Sequence, residues 1–501
     1  MRYLPTGEWM QKADKYTIEE IGILSMVLME RAALKMVDVM EREGIDLSRT
    51  FVVCGSGNNG GDGFAVARLL KDKGYEVTAA FIGSESSMSP DCREQLKIAE
   101  KCGVSIVTSI NRQEYTSVVD AVFGVGLNRD VSGAYRENIE KMNRLPGQKI
   151  AVDIPSGICS ATGKVLGVSF KAELTVTFEC EKLGCILYPG HIYAGKRVVA
   201  DIGISKKIFE KEPAVCYTFD REDLPKLIPA RKPDSHKGTY GKILMITGSK
   251  GMSGAAYLSA KSAYITGAGL VHIYTAEENR IILQQLLPEA IISTYTEYDE
   301  ETLHKLLQWA DVVCIGCGLG RNDIADSLVE EVMRVVKVPC VVDADGLNIL
   351  SSHLELLGSR ERPLILTPHM KEMSELLGCS IQELQEKRFE KVREFTDKHG
   401  VVCAMKDART LVSKWDRQIF INTAGNSSMA KAGSGDVLAG VIAGLLAQGL
   451  MSYEAAVCGV YLHACGGDET KEEKGSYSAL AEDLITGIGT CIRKTEENMA
   501  E

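Results

Sequence analysis

Two successive runs of apolar segments, many closed by a glycine-rich turn and several followed by an amphipathic stretch, constrain this chain more than any other feature. In the first run FVVCGSG, YEVTAAFIG, SIVTS, VVDAVFG and KIAVDIPSG read as strands, and residues 63–73 carry helical periodicity. Strands alternating with helices imply a parallel sheet covered on both faces, because each parallel connection must cross over the sheet. A helical segment at residues 19–43 precedes this run, and after Ile154 the pattern turns to strands without long helices, LTVTFE and GKRVVADIGI. The second run passes through KILMITGS, a helix at 255–265, VHIYT, DVVCIGCG, a helix at 323–336, PCVVDADG, PLILTPH, VVCAMKD and a long helix entered at Gly435. Between the runs lies a charged segment, residues 204–234, carrying Pro213, Pro225, Pro229 and Pro233. A chain of 501 residues exceeds what one hydrophobic core usually serves, so the boundary is placed there, with domains at 1–215 and 225–501. The halves share no convincing internal repeat and read as two different α/β domains joined end to end.

The formal charge of -11 argues against a nucleic-acid or membrane partner, since phosphate backbones and anionic headgroups would be repelled by the molecule as a whole. Local cationic pockets remain compatible with it. The opening MRYLPTGEWMQKADKY lacks the basic, apolar and small-residue succession of a signal peptide. The longest apolar stretch, residues 437–451, is interrupted by glycines and Gln448 and is too short to span a bilayer. Fifteen cysteines scattered through both halves suit a reducing cytoplasm, where the protein is expected. The close pair Cys314 and Cys317 has no second pair to complete a metal site, so it reads as a buried strand residue and a turn residue.

Chemistry concentrates after strands. GSGNNGGDGFAVARLL follows one strand and opens a helix, where unpaired N–H groups and the helix dipole favour an anion. The glycines permit close backbone approach, and Asn58, Asn59 and Asp62 add polar groups that a plain turn does not need. Asp120 and Asp153 end two further strands, and in parallel sheets the ligand crevice lies beyond such ends. Either aspartate alone fits a turn cap equally well. In the second half KAGSGDVLAGVIAGLL sets a small-residue turn, an acid and an apolar helix in order, a cradle for a phosphate beside Asp436 as a base for an attacking hydroxyl. No Walker-type loop or protein-kinase catalytic loop is present.

The segments TIEEIGILSMVLMERAA, GNNGGDGFAVAR, VDAVFGVGLNRDVSG and VDIPSG resemble the epimerase domain of the nicotinamide-nucleotide-hydrate repair enzymes, over most of residues 1–215. The resemblance implies a Rossmann-like three-layer domain whose substrate contacts are Asn58, Asn59, Gly60, Gly61 and Asp62, then Gly124, Val125, Gly126, Leu127, Asn128, Arg129 and Asp130, with Tyr135 and Asp153. It also implies a potassium ion held through Asn59, Asp120 and Ser156, a sensible oxygen donor set for a hard monovalent cation. Asp153 is the candidate for moving the proton as the two configurations at carbon 6 of the hydrated ring interconvert.

In the second half SHKGTYGKILMITGS, MSGAAYLSA, GAGLVHIYT, GCGLG, VVDADGLN, LTPHMKEMSELLG, MKDARTLVS and AGNSSMAKAGSGDVLAG resemble the dehydratase domain of the same system, which is ribokinase-like, along nearly all of residues 225–495. Carried over, the hydrate contacts are Ala255, Gly318, His369 and Asp436, and the nucleotide contacts are Lys406, Asp407, Ala408, Arg409, Thr410 and Gly435. Lys406 and Arg409 are cations placed just beyond a strand, where they suit nucleotide phosphates, although a solvated turn explains their charge as well. Two departures stand out. Gly316-Cys317-Gly318-Leu319-Gly320 replaces the family's Gly-Pro-Gly-Leu-Gly, and His369-Met370-Lys371-Glu372 replaces His-Pro-Gly-Glu, so the first loop loses a rigid turn residue and the second is altered next to His369.

Together the resemblances imply a bifunctional isomerase and lyase for metabolite repair. The first domain equilibrates the R and S hydrates of NADH or NADPH; the second dehydrates the S form with ADP or ATP and magnesium. Asp436 takes the hydroxyl proton as that oxygen attacks the terminal phosphate, because hydroxide itself is a poor leaving group. A homo-oligomer is expected. The alternative is a ribokinase-like vitamin or sugar kinase with a non-catalytic N-terminal nucleotide-binding module.

Overall fold

In the computed structural model, which describes residues 1–110, 114–358 and 363–500, the first run of segments forms a seven-stranded parallel sheet. Its strands are β1 (Arg49–Cys54), β2 (Glu76–Phe81), β3 (Ser105–Val107), β4 (Ser117–Ala121), β5 (Gln148–Val152), β6 (Leu174–Phe178) and β7 (Lys196–Ala200). They lie in the order β3-β2-β1-β4-β5-β6-β7. Alternate side chains of β1 serve opposite faces, as a pleated strand requires. Val52 and Cys54 pack with Met36, Met40 and Phe64, whereas Phe51 and Val53 pack with Ile139 and Met142. Helices Ser25–Arg42 and Asn58–Asp72 therefore cover one face and helix Gly133–Arg144 the other, giving three layers.

The N-terminal helix differs from the sequence reading. Two helices, Gly7–Glu19 and Ser25–Arg42, stand where one was expected from residue 19, and residues 20–24 form the break. Gly22 sits there at φ +88°, a conformation that costs glycine little. Thr6 caps the first helix by accepting the Trp9 N–H at 3.3 Å. That cap, followed by buried Trp9, Met10, Ala13 and Thr17, is the signal for a helix starting earlier.

The second run contains β8 (Lys242–Ile246), β9 (Leu270–Ala276), β10 (Ile291–Tyr295), β11 (Val312–Ile315), β12 (Cys340–Val342), β13 (Leu364–Leu366), β14 (Val402–Met405), β15 (Leu411–Ser413) and β16 (Ile419–Ile421). Their order is β16-β15-β14-β13-β12-β11-β8-β9-β10, parallel from β10 to β14 and antiparallel through β15 and β16. Strand β10 is absent from the sequence reading. It is an edge strand without a fully buried residue, so its apolar run is short and diluted by Ser293 and Thr294. Helix Ser434–Ala447 is buried along most of its length against helix Ser253–Thr266. Gly440 makes that approach possible: a Cβ there would stand 2.0 Å from the Ser259 carbonyl oxygen.

The chain divides into two compact units, Tyr3–Tyr217 and Thr218–Glu501 joined by Met1–Arg2. Both sheets reverse their winding at one place, between β1 and β4 in the first and between β8 and β11 in the second. Loops leaving neighbouring strands part there toward opposite faces and open a crevice. Among the described residues no helix is long and apolar enough to cross a membrane.

Candidate active sites

At the first reversal point a cavity of about 580 Å³ opens beyond the ends of β1 and β4. Asn58, Asn59, Asp62, Gly124, Val125, Gly126, Leu127, Asn128, Arg129 and Asp153 line it, together with Asp14 and Lys182. Gly60 and Gly61 do not; they are buried in the first turns of helix Asn58–Asp72, and a Cβ on Gly60 would stand 2.0 Å from the Gly55 carbonyl oxygen. Asp130 and Tyr135 also lie outside the lining, and the Tyr135 ring packs on Phe123 at 4.9 Å.

Asp153 follows β5 at φ +65°, a strained conformation for a residue with a Cβ. Its Oδ1 accepts the Phe178 N–H at 2.9 Å and the Thr177 hydroxyl at 3.3 Å, and pairs with the Lys182 ammonium. Lys182 is almost wholly buried and donates also to the Phe178 carbonyl at 2.7 Å. Burial, then the charge of Asp153 and Asp14, holds the Asp62 carboxyl well above the usual range against the pull of Lys182.

Asp120 is fully buried at the end of β4. Its carboxylate accepts the Ser156 hydroxyl and N–H at 2.7 Å each and the Val122 N–H at 3.2 Å. No lysine or arginine pairs with it among the described residues, and burial raises it to about 6 in spite of these donors. Ser156 Oγ also accepts the Phe123 N–H at 2.8 Å. Asn59 packs on Gly124, and its side-chain nitrogen is buried without a hydrogen-bond partner.

At the second reversal point the loop after β11 meets the loop after β8. The Gly318 carbonyl accepts the Ser249 N–H at 2.6 Å and hydroxyl at 3.0 Å. Gly318 has φ +59°, and a Cβ on it would stand 2.7 Å from that of Ala255, so two expected hydrate contacts adjoin. Asp343, at the end of β12, is buried and accepts from Lys406 Nζ at 2.5 Å and the Thr367 hydroxyl at 2.7 Å. A Cβ on Gly435 would lie 3.4 Å from Lys406 Nζ and 3.7 Å from the Asp343 carboxylate. The glycine loop, the lysine and the two acids Asp343 and Asp436 are thus gathered at the start of helix Ser434–Ala447. Burial, then the neighbouring charge of Asp343, raises Asp436 to about 6.

The other expected contacts are more self-contained. His369 caps helix Met370–Leu377, its Nδ1 accepting the N–H groups of Lys371 and Glu372 at 3.1 Å, while Nε2 faces Glu372 at 3.1 Å. Both ring nitrogens are engaged, and the capping box survives the changed residues 370 and 371. Asp407 bonds to Arg388 at 3.2 Å and to the Ala408 N–H, and Thr410 donates to the Asp407 carbonyl. Arg409 is buried and donates to the carbonyls of Ala408 and Thr423 at 3.4 and 3.3 Å, so its guanidinium is turned inward. Cys314 and Cys317 are both fully buried, and Cys317 Sγ lies 3.8 Å from Asp343.

Asp343, Lys182 and Asp14 are site groups that the sequence reading leaves unassigned. The strand-end rule that singles out Asp120 and Asp153 applies equally to Asp343 in VVDADG. Lys182 and Asp14 carry no comparable signal, because one follows a short strand by four residues and the other sits within a helix.

The family described as NAD(P)H-hydrate dehydratase matches residues 243–489, and that described as YjeF-related protein N-terminus matches residues 25–184. Over the whole length, the bifunctional NAD(P)H-hydrate repair enzyme of Moorella thermoacetica is 36% identical, the alignment covering 99% of this chain and 98% of that protein. The chain belongs to the bifunctional NAD(P)H-hydrate repair enzyme family. The family's member from Thermofilum pendens is 35% identical across 97% of this chain and 95% of its own. A solved ribokinase-like superfamily protein from Enterococcus faecalis superposes with a TM-score of 0.52 at 28% identity, covering 56% of this chain and 96% of that one. The family thus pairs a Rossmann-like N-terminal domain with a ribokinase-like C-terminal domain.

Proposed function

We propose that residues 1–215 form the epimerase domain and residues 225–501 the dehydratase domain of a bifunctional NAD(P)H-hydrate repair enzyme. The protein acts as isomerase and lyase: it interconverts the R and S hydrates and returns the S form to NADH or NADPH with ADP or ATP as phosphoryl donor. The observation that carries the reading is full-length similarity joined to an expected acid in each unit: Asp153 lines the cavity of the first, and Asp436 stands with Asp343 and Cys317 in the second. The vitamin or sugar kinase alternative is not favoured, because the relatives named for hydrate repair align through both halves.

In the second site Asp436 takes the proton of the carbon 6 hydroxyl as its oxygen attacks the terminal phosphate, which rests on the N–H groups of the Gly433–Gly435 turn. Lys406 stands beside that turn and offsets the charge of the transferred group. The C6–O bond of the phosphate ester then breaks, phosphate leaving with that electron pair as the ring nitrogen's lone pair moves toward carbon 6, and loss of a proton from carbon 5 restores the ring double bond, so the phosphate ester is transient. The protein donors nearest this chemistry are a thiol and two carboxylates, one already paired with Lys406, a poor set for magnesium, which demands hard oxygen ligands. Magnesium is therefore assigned to the nucleotide's phosphates and to no side chain.

In the first site, the anionic Asp120 without a cationic partner and the orphaned Asn59 amide fit a potassium ion held by Asn59, Asp120 and Ser156. An amide turned over would offer oxygen where nitrogen now lacks a partner. The ion would supply positive charge beneath the loop at Gly124. Asp153 is the proposed proton acceptor of epimerisation, held in place by Lys182.

Two tests follow from these roles. Incubated with both hydrate epimers and ADP or ATP, the purified chain should return all the hydrate to the reduced nicotinamide, read by its absorbance. A stable phosphate ester in place of that absorbance would remove the dehydratase reading; conversion of the R form only at the uncatalysed exchange rate would remove the epimerase. Asp436 must be ionised to act as a base and is raised to about 6, so dehydration kcat/KM should rise with pH through about 6 and level off above it. A profile flat from pH 4.5 to 8 contradicts Asp436 as the base.

A further inference from the structure

The hydroxyl that the first domain inverts sits on a carbon bonded to the ring nitrogen, and such a carbinolamine has a short route to inversion. Its O–H proton leaves, the O–H electron pair becomes the C=O bond, and the C6–N1 bond breaks with its pair on nitrogen, which is protonated. Rotation about C5–C6 then presents the other face of the aldehyde, and the same steps reversed close the ring. No oxidant or co-reactant is consumed. The route needs two proton-transfer groups at once, an acceptor for the hydroxyl and a donor for the nitrogen.

Asp153 suits the acceptor. Its Oδ1 is saturated by Phe178, Thr177 and Lys182, whereas Oδ2 accepts no hydrogen bond among the described residues. Asp14 lines the same cavity from a different element, helix Gly7–Glu19, and has neither a hydrogen bond nor an ion pair among the described residues. Burial raises it to about 6; the ammonium of Lys182 opposes this, and the charges of Asp153 and Glu179 add to it. A carboxyl so placed can hold the proton that the ring nitrogen needs, whereas Asp153 touches the ammonium directly.

Resting on the epimerase reading, we propose that Asp14 is the second proton-transfer group of epimerisation, protonating the ring nitrogen while Asp153 takes the hydroxyl proton. The intermediate is the ring-opened aldehyde, and both carboxyls regain their starting states when the ring closes.

The test uses the full chain, one purified hydrate epimer, no nucleotide, and water enriched in oxygen-18. The wild-type chain should invert carbon 6 while keeping its oxygen through a single turnover, because C6–O never breaks. Asp14→Asn should slow exchange by roughly 10² to 10⁴-fold with KM and thermal melting unchanged, and Asp14→Glu should restore part of the rate. Incorporation of one solvent oxygen per inversion overturns the proposal, as does full exchange in Asp14→Asn. Loss in Asp62→Asn beside full exchange in Asp14→Asn also overturns it and moves the role to Asp62. A wild-type chain that exchanges epimers no faster than buffer removes the epimerase reading itself.

Discussion

Asp436→Asn should lower dehydration by about 10² to 10⁴-fold and leave the rate of epimer exchange unchanged. The substitution keeps the shape of the side chain and removes its capacity to take a proton. A purely structural role predicts far less. Asp436 stands in the first turn of helix Ser434–Ala447, where an acid's interaction with the helix dipole contributes about 0.3–1 kcal/mol to stability. A 10³-fold loss of rate corresponds to about 4 kcal/mol, so the dipole alone cannot account for it. Epimerisation belongs to another sheet with its own hydrophobic clusters, and serves as the internal control. Dehydration within tenfold of wild type would remove Asp436 from its role.

Lys182→Met should have the largest effect on stability. Lys182 is 1% exposed and Asp153 12% exposed as side chains, so the substitution leaves a nearly buried carboxylate with its cation gone. Breaking such a pair from one side typically costs about 3–5 kcal/mol, because the surviving charge stays desolvated. The first unit should melt earlier, and epimer exchange should fall to the uncatalysed rate. In Lys182→Met with Asp153→Asn part of the lost stability should return, since the unpaired charge is gone, but exchange should not. Unchanged melting in the single variant would mean that Asp153 is stabilised by its other donors alone.

What the sequence makes legible is local. The turn at Gly433–Gly435 and the strand ends at Asp120 and Asp153 are visible because glycine spacing and apolar runs mark them without knowledge of the fold. The grouping of side chains across the sheets is less so. Lys406 and Asp343 are 63 residues apart and meet only because β12 and β14 run parallel, one strand apart across β13, and end on the same side of the sheet. The solvated-turn explanation of Lys406 gives way to a buried ion pair for that reason. Arg409, equal to Lys406 in sequence, turns to backbone carbonyls, and nothing in MKDARTLVS distinguishes the two fates. The edge strand β10 and the early start of helix Gly7–Glu19 escape notice because partly exposed or polar sequence carries a weak period.

Both reversal points lie inside their sheets, where β1 adjoins β4 and β8 adjoins β11, and several strands separate each from the outermost strand on its longer side. Asp120, Asp153 and Asp343 hang from interior strands of these sheets. Insertions and deletions at the periphery, beyond β3, β7 or β10, are absorbed before they reach the centre. The architecture therefore lets the rims of the two units drift in length and sequence while the spacing of these interior strand ends stays fixed.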